Sequence, residues 1–339
     1  VTHEQSFYGP LADPAADAGH RDHPPRMGFF TDTSICIGCK ACEVACKEWN
    51  DVPADGLDLL GMSFDNTGML GASSWRHVAF VEQHRPLGDQ DAGLSGLPVG
   101  PSSTDAAAAV VAEAMPALER GGGDLGTAPV HLGLPSFGLP GASGGAESRT
   151  DFRWLMSSDV CKHCTHAGCL DVCPTGALFR TEFGTVVVQQ DICNGCGYCV
   201  SGCPYGVIDR RPDDGRAMKC TLCYDRLRGG MEPACAQACP TKSIQFGPLD
   251  ELRERAGLRV AELHEAGVGE ARLYGHDPAD GVGGDGAFFL LMDDPEVYGL
   301  PPDPVVPTRD LSQMWKCAGM AASALLVASA AAFLGGGRR

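Results

Sequence analysis

The sequence predicts an α+β chain built from two small cysteine-bearing modules, one inserted in the other, with a single hydrophobic helix at its C-terminal end. Three observations predict this. Sixteen of the seventeen cysteines fall into four groups of four, short β-branched runs lie among those groups, and residues 317–337 carry no charge. A length of 339 residues leaves room for two or three domains. Glycine and proline number 45 and 24, and aromatic residues make up only 7%, so loops dominate and no single core of ordinary richness organises the whole. The formal charge of −17, from 26 basic against 43 acidic residues, excludes a sequence-independent nucleic-acid binder, which needs a basic face to neutralise phosphates.

The first cysteine group is Cys36, Cys39, Cys42 and Cys46, spaced C-x2-C-x2-C-x3-C. The second is Cys161, Cys164, Cys169 and Cys173, spaced C-x2-C-x4-C-x3-C before Pro174. The third, Cys193, Cys196, Cys199 and Cys203, repeats the first spacing before Pro204. The fourth is Cys220, Cys223, Cys235 and Cys239, with an x11 gap in its middle and Pro240 after it. Three thiolates at two-residue intervals wrap one face of a cubane cluster, while the fourth, at the start of a helix, points away and serves the neighbouring cluster. A following proline is pre-organised for a first helical turn.

Structural zinc is the main competing reading, but it uses two separated pairs without the triple run or the C-x3-C-P ending. A disulfide framework does not place three cysteines within seven residues repeatedly, and a thiol switch needs only one or two. Four [4Fe–4S] clusters are therefore expected, with every ligand position a cysteine. His163 and His166 lie within the second group, where the complete thiolate set makes them solvated or sulfur-facing rather than ligands. Lys40, Lys162 and Lys219 each neighbour a ligand and read as surface lysines, with a charge effect on cluster potential as the alternative.

Nineteen residues separate Cys173 from Cys193, and within them 185–190 (TVVVQQ) reads as a strand. Groups two and three thus form an inner module over 151–205. Groups one and four pair across it in an outer module of 28–86 plus 206–248, giving two nested bacterial two-cluster ferredoxin-like modules. The swapped-ligand rule then assigns one cluster to Cys36, Cys39, Cys42 and Cys239, and a second to Cys46, Cys220, Cys223 and Cys235. The third falls on Cys161, Cys164, Cys169 and Cys203, and the fourth on Cys173, Cys193, Cys196 and Cys199.

The remaining segments are a polar tail (1–27), a Gly/Ala/Pro-rich insertion (87–150), a C-terminal extension (249–306) and a candidate membrane anchor (307–339). The tail lacks an apolar export segment and an adjacent arginine pair, so no self-encoded export signal is expected. Strands are expected at 75–82, 243–246 and 287–292, and an amphipathic helix at 248–266. The stretch 281–286 (GVGGDG) reads as a turn, since it lacks the strand–turn–helix context of a phosphate loop. The 21 uncharged residues 317–337 span roughly 31 Å as a helix, enough for a bilayer core, with a hydrophobic docking helix as the alternative. Positive charges tie across it, leaving orientation open. Cys317 is expected to be a free thiol.

The chain resembles the iron–sulfur β subunits of membrane-bound respiratory formate dehydrogenases, within the four-cluster electron-transfer subunits of molybdopterin oxidoreductases. The resemblance is carried by CIGCKACEVACKEWN at 36–50, the C-x2-C-x4-C of group two, CNGCGYCVSGCP at 193–204, and CTLCYDR with EPAC at 220–235. YGLPPDP at 298–304 and Trp315–Lys316 before the apolar helix are similar to the formate branch in particular. The resemblance implies a catalytic α subunit holding molybdenum or tungsten, a membrane cytochrome b γ subunit, and a membrane-associated location on the exoplasmic face. It implies an electron conductor that makes and breaks no substrate bonds, and no catalytic constellation stands out in the sequence. The equivalent subunit of a dimethyl sulfoxide, polysulfide or tetrathionate enzyme is the alternative, and a zinc-binding structural protein the remote one.

Overall fold

Two short runs of consecutive apolar residues, 27–30 and 287–291, set the architecture. Such runs suit strands buried on both faces, and they form adjacent central strands. The computed structural model describes residues 11, 13–54, 64, 65, 67–86 and 150–335. Most of the polar tail's start (1–10) and of the predicted insertion (87–149) lie outside the described residues.

In chain order, a short helix α1 (Pro14–Asp17), capped by the Asp13 carboxylate, precedes strand β1 (Met27–Asp32) and helix α2 (Ala41–Asn50). Strands β2 (Arg76–Pro86) and β3 (Thr150–Val160) pair with each other. Next come α3 (Gly168–Asp171), the hairpin of β4 (Leu178–Arg180) and β5 (Val186–Val188), and α4 (Tyr198–Ser201). A second hairpin, β6 (Asp209–Arg210) with β7 (Ala217–Met218), leads to α5 (Tyr224–Arg228) and α6 (Ala234–Ala238). The chain continues through β8 (Ile244–Pro248), α7 (Leu249–Glu265), β9 (Arg272–Tyr274), β10 (Ala287–Leu291) and α8 (Leu311–Gly335). Helix and strand are thus mixed along the chain, as an α+β reading requires.

The chain divides into two units, 1–81 with 155–339, and 82–154. Of the second, residues 82–86 and 150–154 are described, and there Arg153 Nε donates to Gln83 Oε1 at 2.6 Å.

The main sheet has the order β8–β1–β10–β9. β1 runs parallel to β10 with Phe30 opposite Phe288, and antiparallel to β8 with Phe29 opposite Phe246. Phe29, Phe30, Phe288, Phe289, Leu290 and Leu291 are all fully buried. Helix α7 covers the sheet with Leu249, Leu252, Ala256 and Leu263, an apolar stripe at helical spacing. Each such buried leucine contributes roughly 1.5–3 kcal/mol. The 249–306 segment therefore supplies two strands of the sheet whose other two come from β1 and β8.

That sheet fixes the first cysteine loop. Asp32 ends β1, its carboxylate accepts from Ser34 N at 2.9 Å, and Arg259 of α7 pairs with it at 3.1 Å. Thr33 Oγ1 donates to Leu290 O at 2.8 Å, pinning the turn that delivers Cys36 to β10. The predicted strand at 185–190 shortens to β5, and the predicted helix at 248–266 matches α7 within a residue at each end. Residues 281–286 form turns, with no helix following them.

The C-terminal helix begins at Leu311, six residues before the uncharged stretch. Its segment Gln313–Leu334 is 22 residues long with mean hydropathy 2.0 and has no buried residues. Its length as a helix is roughly 33 Å, enough by length and composition to cross a bilayer.

Candidate iron–sulfur cluster sites

All seventeen cysteines are free thiols. In each C-x2-C loop the residue before the second cysteine takes a left-handed backbone: Gly38 (φ 64°), His163 (φ 47°), Gly195 (φ 72°) and Leu222 (φ 57°). The same turn recurs four times, twice without glycine. A left-handed residue here curls the loop so that its cysteines face one side, and it turns backbone N–H groups toward the same concavity. The next cysteines of each group then sit on or beside short helices. Cys42 and Cys46 lie on α2, Cys169 on α3, Cys199 on α4 and Cys235 on α6, with Cys239 at the end of α6.

These helices pack in two pairs, α2 with α6 and α3 with α4. The second crossing is close. A Cβ on Gly168 would lie 2.4 Å from Gly202 O, so this contact requires glycine.

The packing gathers the thiols into neighbourhoods that draw on distant segments. Burial first, then Cys220, Cys235 and Cys223, push the Cys46 thiol upward. Cys164 is raised by burial and, among other charges, by Cys203, Cys161 and Cys169. Cys199 is pushed up to about 11 by burial and by Cys193, Cys196 and Cys173. Cys36 is raised by burial, with Cys42 and Cys239 as its thiol neighbours, and Cys39 stands exposed on the same loop. Cys173 moves the other way: burial raises it, but backbone bonds at Leu178, Thr175 and Ala177 and the Thr175 hydroxyl outweigh that.

Charge influences also cross from one neighbourhood to the next. Cys235 acts on Cys42, which burial pushes up to about 11. Cys161 acts on Cys220 and Cys199 on Cys169, both pushed up to about 12, again mainly by burial. These charge influences group Cys36 with Cys42 and Cys239, Cys46 with Cys220, Cys223 and Cys235, Cys164 with Cys161, Cys169 and Cys203, and Cys199 with Cys173, Cys193 and Cys196. Cys39 and Cys196, from the first and last loops, are exposed. Cys317 is exposed on α8.

The residues fit iron–sulfur cages. Around the third neighbourhood lies a pocket whose lining includes Cys161, Cys164, Cys169 and Cys203. Among the described residues no three His, Cys, Asp or Glu side chains form a group suited to a single metal ion. Thiolates around a four-iron cage stand farther apart than ligands of one ion. Burial raises most of these thiols, and binding iron would replace their protons.

Charge complementarity points the same way. Arg76 is 2% exposed with no carboxylate within ion-pair distance among the described residues, and the groups that favour its charge are Cys235, Cys42, Cys220 and Cys46. A buried guanidinium without a counter-charge is costly, so the sulfur sites must supply the negative charge.

Two lysines are not surface residues. Lys162 is fully buried, paired with Asp159 and lying 4.8 Å over the Phe289 ring. Lys219 is 2% exposed and donates to the carbonyls of Val186 and Cys220. In both cases bonds to carbonyls or a carboxylate offset the burial of charge. Lys40 is partly buried and pairs with Glu43 at 3.2 Å. His163 is buried, and its Nδ1 accepts from Val186 N at 3.2 Å.

Several residues that hold the second loop carry no motif in the sequence. Arg26, from the segment read as tail, donates to Thr165 Oγ1 at 2.7 Å and to His163 O at 3.0 Å. Arg180 donates to Cys164 O at 2.9 Å. The 281–286 turn backs this loop, with Thr165 N donating to Gly284 O and His166 N to Val282 O. Asp285 is fully buried, accepts from the Tyr205 hydroxyl at 2.8 Å, and is pushed up to about 8 by burial. No spacing rule in the sequence signals these contacts, because each joins segments far apart along the chain.

Residues 152–249 match the family of 4Fe-4S dicluster domains. The formate dehydrogenase iron–sulfur subunit of Haemophilus influenzae is 35% identical over 302 residues, covering 87% of this chain and 74% of the relative. The nitrate-inducible formate dehydrogenase iron–sulfur subunit of Escherichia coli is 33% identical over 87% of this chain and 79% of its own length. The B subunit of the anaerobic dimethyl sulfoxide reductase of Escherichia coli is 30% identical over 71% of this chain and 83% of its own length.

Proposed function

The chain belongs to the family of formate dehydrogenase iron–sulfur subunits, and on that premise we propose that it is an electron-conducting subunit carrying four [4Fe–4S] clusters in two nested ferredoxin-like modules. Its ligand sets are Cys36, Cys39, Cys42 and Cys239; Cys46, Cys220, Cys223 and Cys235; Cys161, Cys164, Cys169 and Cys203; and Cys173, Cys193, Cys196 and Cys199. The observation that carries this reading is that thiols from distant groups share one surrounding: Cys42 and Cys235 are joined through Ser158 and Arg76, and Cys161, Cys164, Cys169 and Cys203 line one pocket. The helix pairs α2–α6 and α3–α4 support the nesting, since groups one and four meet in one and groups two and three in the other.

Bound clusters supply one-electron redox chemistry. The chain's own residues hold them in sequence and leave Cys39 and Cys196, one in each outer set, exposed. Exposed Ile37 and Val44 flank Cys39, and exposed Ile192 and Tyr198 flank Cys196, which suits two different docking partners at opposite ends of the row. A molybdenum or tungsten catalytic subunit oxidising formate feeds one end. A membrane cytochrome b passing electrons to quinone drains the other. Helix α8 anchors the subunit in the bilayer, on the exoplasmic side. The chain itself makes and breaks no substrate bonds.

Anaerobic isolation with the co-purifying subunits tests the reading. Approximately sixteen irons and as many labile sulfides per chain are expected from four cubanes, and zinc without sulfide would end the account. Cys196→Ser should remove one cluster's paramagnetic signal and stop quinone reduction while the partners still assemble. The likeness to the dimethyl sulfoxide reductase subunit supports a second reading within the same class. A co-purifying catalytic subunit that reduces sulfoxide and leaves formate untouched would favour it.

A further inference from the structure

The side chain of Arg76 reaches two of the sulfur neighbourhoods at once. Its Nη2 donates to Cys235 Sγ at 3.3 Å. Its Nη1 donates to Ser158 O at 3.1 Å and Ser158 Oγ at 3.2 Å, and Ser158 Oγ lies 3.2 Å from Cys42 Sγ. A continuous hydrogen-bonded bridge therefore runs from Cys235 through Arg76 and Ser158 to Cys42. The guanidinium sits 4.9 Å over the Phe29 ring, and Phe29 is itself fixed in the centre of the main sheet. Its Nε is buried with no acceptor among the described residues, which leaves one donor for a cluster sulfide.

We propose that Arg76 is a positioning residue that joins the first two clusters, orienting a cysteine ligand of each and raising both reduction potentials together. This rests on the four-cluster reading above. A fixed positive charge and N–H···S bonds both favour the reduced, more negative state of a cluster. One residue acting on two centres keeps their potentials close, so that neither becomes a trap for the electron. Arginine suits the task because its planar fork donates in two directions from a fixed plane, and it stays charged when buried. Lysine has the charge without the fork.

The experiment is an anaerobic redox titration of the whole complex, monitored by electron paramagnetic resonance, with iron and sulfide measured on each sample. In Arg76→Gln the midpoints of two clusters should fall while the other two stay. Arg76→Lys should restore most of the fall at both. Ser158→Ala leaves the charge in place and should lower only the cluster whose ligands include Cys42. Wild-type protein grown with ¹⁵N-labelled arginine should show a nitrogen coupling to two reduced clusters.

Four unmoved midpoints in Arg76→Gln with full iron would overturn the proposal. Should that variant lose iron, unmoved midpoints in Ser158→Ala together with no arginine coupling in the wild type would overturn it as well. A wild-type iron count that does not match four cubanes strikes the broader reading instead, and is seen before any variant is made.

Discussion

Gly195 offers a prediction whose size can be worked from the backbone. It holds φ 72° between Cys193 and Cys196, and a Cβ there would lie 2.6 Å from Gly215 O and 3.2 Å from Gly215 C. Gly176 is the matched control, with φ 68° in the same inner segment and nothing within 4 Å of its Cβ position. Alanine at either site carries the left-handed cost of roughly 1–2 kcal/mol. Only at Gly195 does it also meet a backbone carbonyl, which cannot rotate aside, so overpacking adds roughly 1–3 kcal/mol. Relief requires moving either the cysteine loop or the β6–β7 turn, and Ala217 N of that hairpin donates to Cys193 Sγ at 3.4 Å. The two variants should therefore differ by roughly five- to a hundredfold in the equilibrium that keeps this cluster seated, at about 1.4 kcal/mol per tenfold. The assay is iron per chain after anaerobic isolation, followed by the rate of visible bleaching under a chelator. Gly195→Ala should lose about a quarter of the iron and bleach faster, while Gly176→Ala keeps its full complement. Equal iron and equal bleaching in the two variants would refute the steric argument. The left-handed cost alone is tolerated elsewhere, since His163 and Leu222 occupy the equivalent position in two other loops.

Three further outcomes are expected. Asp285, pushed up from 3.8 to about 8 by burial, keeps in the folded state a proton that the unfolded chain releases. Its contribution is full below its ordinary value and is lost as pH rises toward 8, at about 1.4 kcal/mol per pH unit. Asp285→Asn should consequently gain in thermal bleaching temperature over the wild type between pH 6 and 8, and parallel curves would contradict the buried-proton assignment. Leu252→Ala, at a 1% exposed position on the buried face of α7, should cost roughly 2–5 kcal/mol, read as a lower bleaching temperature with unchanged cluster spectra. Deleting residues 311–339 should release the subunit from lipid vesicles in a flotation assay without reducing iron per chain, and continued flotation would argue against α8 as the anchor.

What was legible along the chain was local. The cysteine spacings prescribe tight turns and helix phases, and the four left-handed residues before the second cysteines are the backbone form of that spacing. The amphipathic pattern at 248–266 prescribes α7, because its apolar stripe has only one way to face a core. The turn at 281–286 follows from its glycines. Other features gave no signal. Met27–Asp32 lies where the sequence read a tail giving way to the outer module, yet it is a central strand. Its parallel partner β10 comes from the C-terminal extension more than 250 residues later. Lys162 and Lys219 looked like surface charge, because nothing adjacent in the chain shows that Phe289, Tyr205, Asp159 and the Val186 carbonyl enclose them.

By itself, then, the sequence determined the ligand chemistry and the shape of each loop, since two- and three-residue spacings fix which side chains share a face through covalent geometry. Only the tertiary structure decided which loop lies beside which, that Arg76 enters between the thiols of Cys42 and Cys235, and that Arg26 and Arg180 hold the Cys164 loop. Those contacts depend on burying the two phenylalanine-rich strands against each other, and the free energy of that burial belongs to the assembled sheet rather than to any segment read alone.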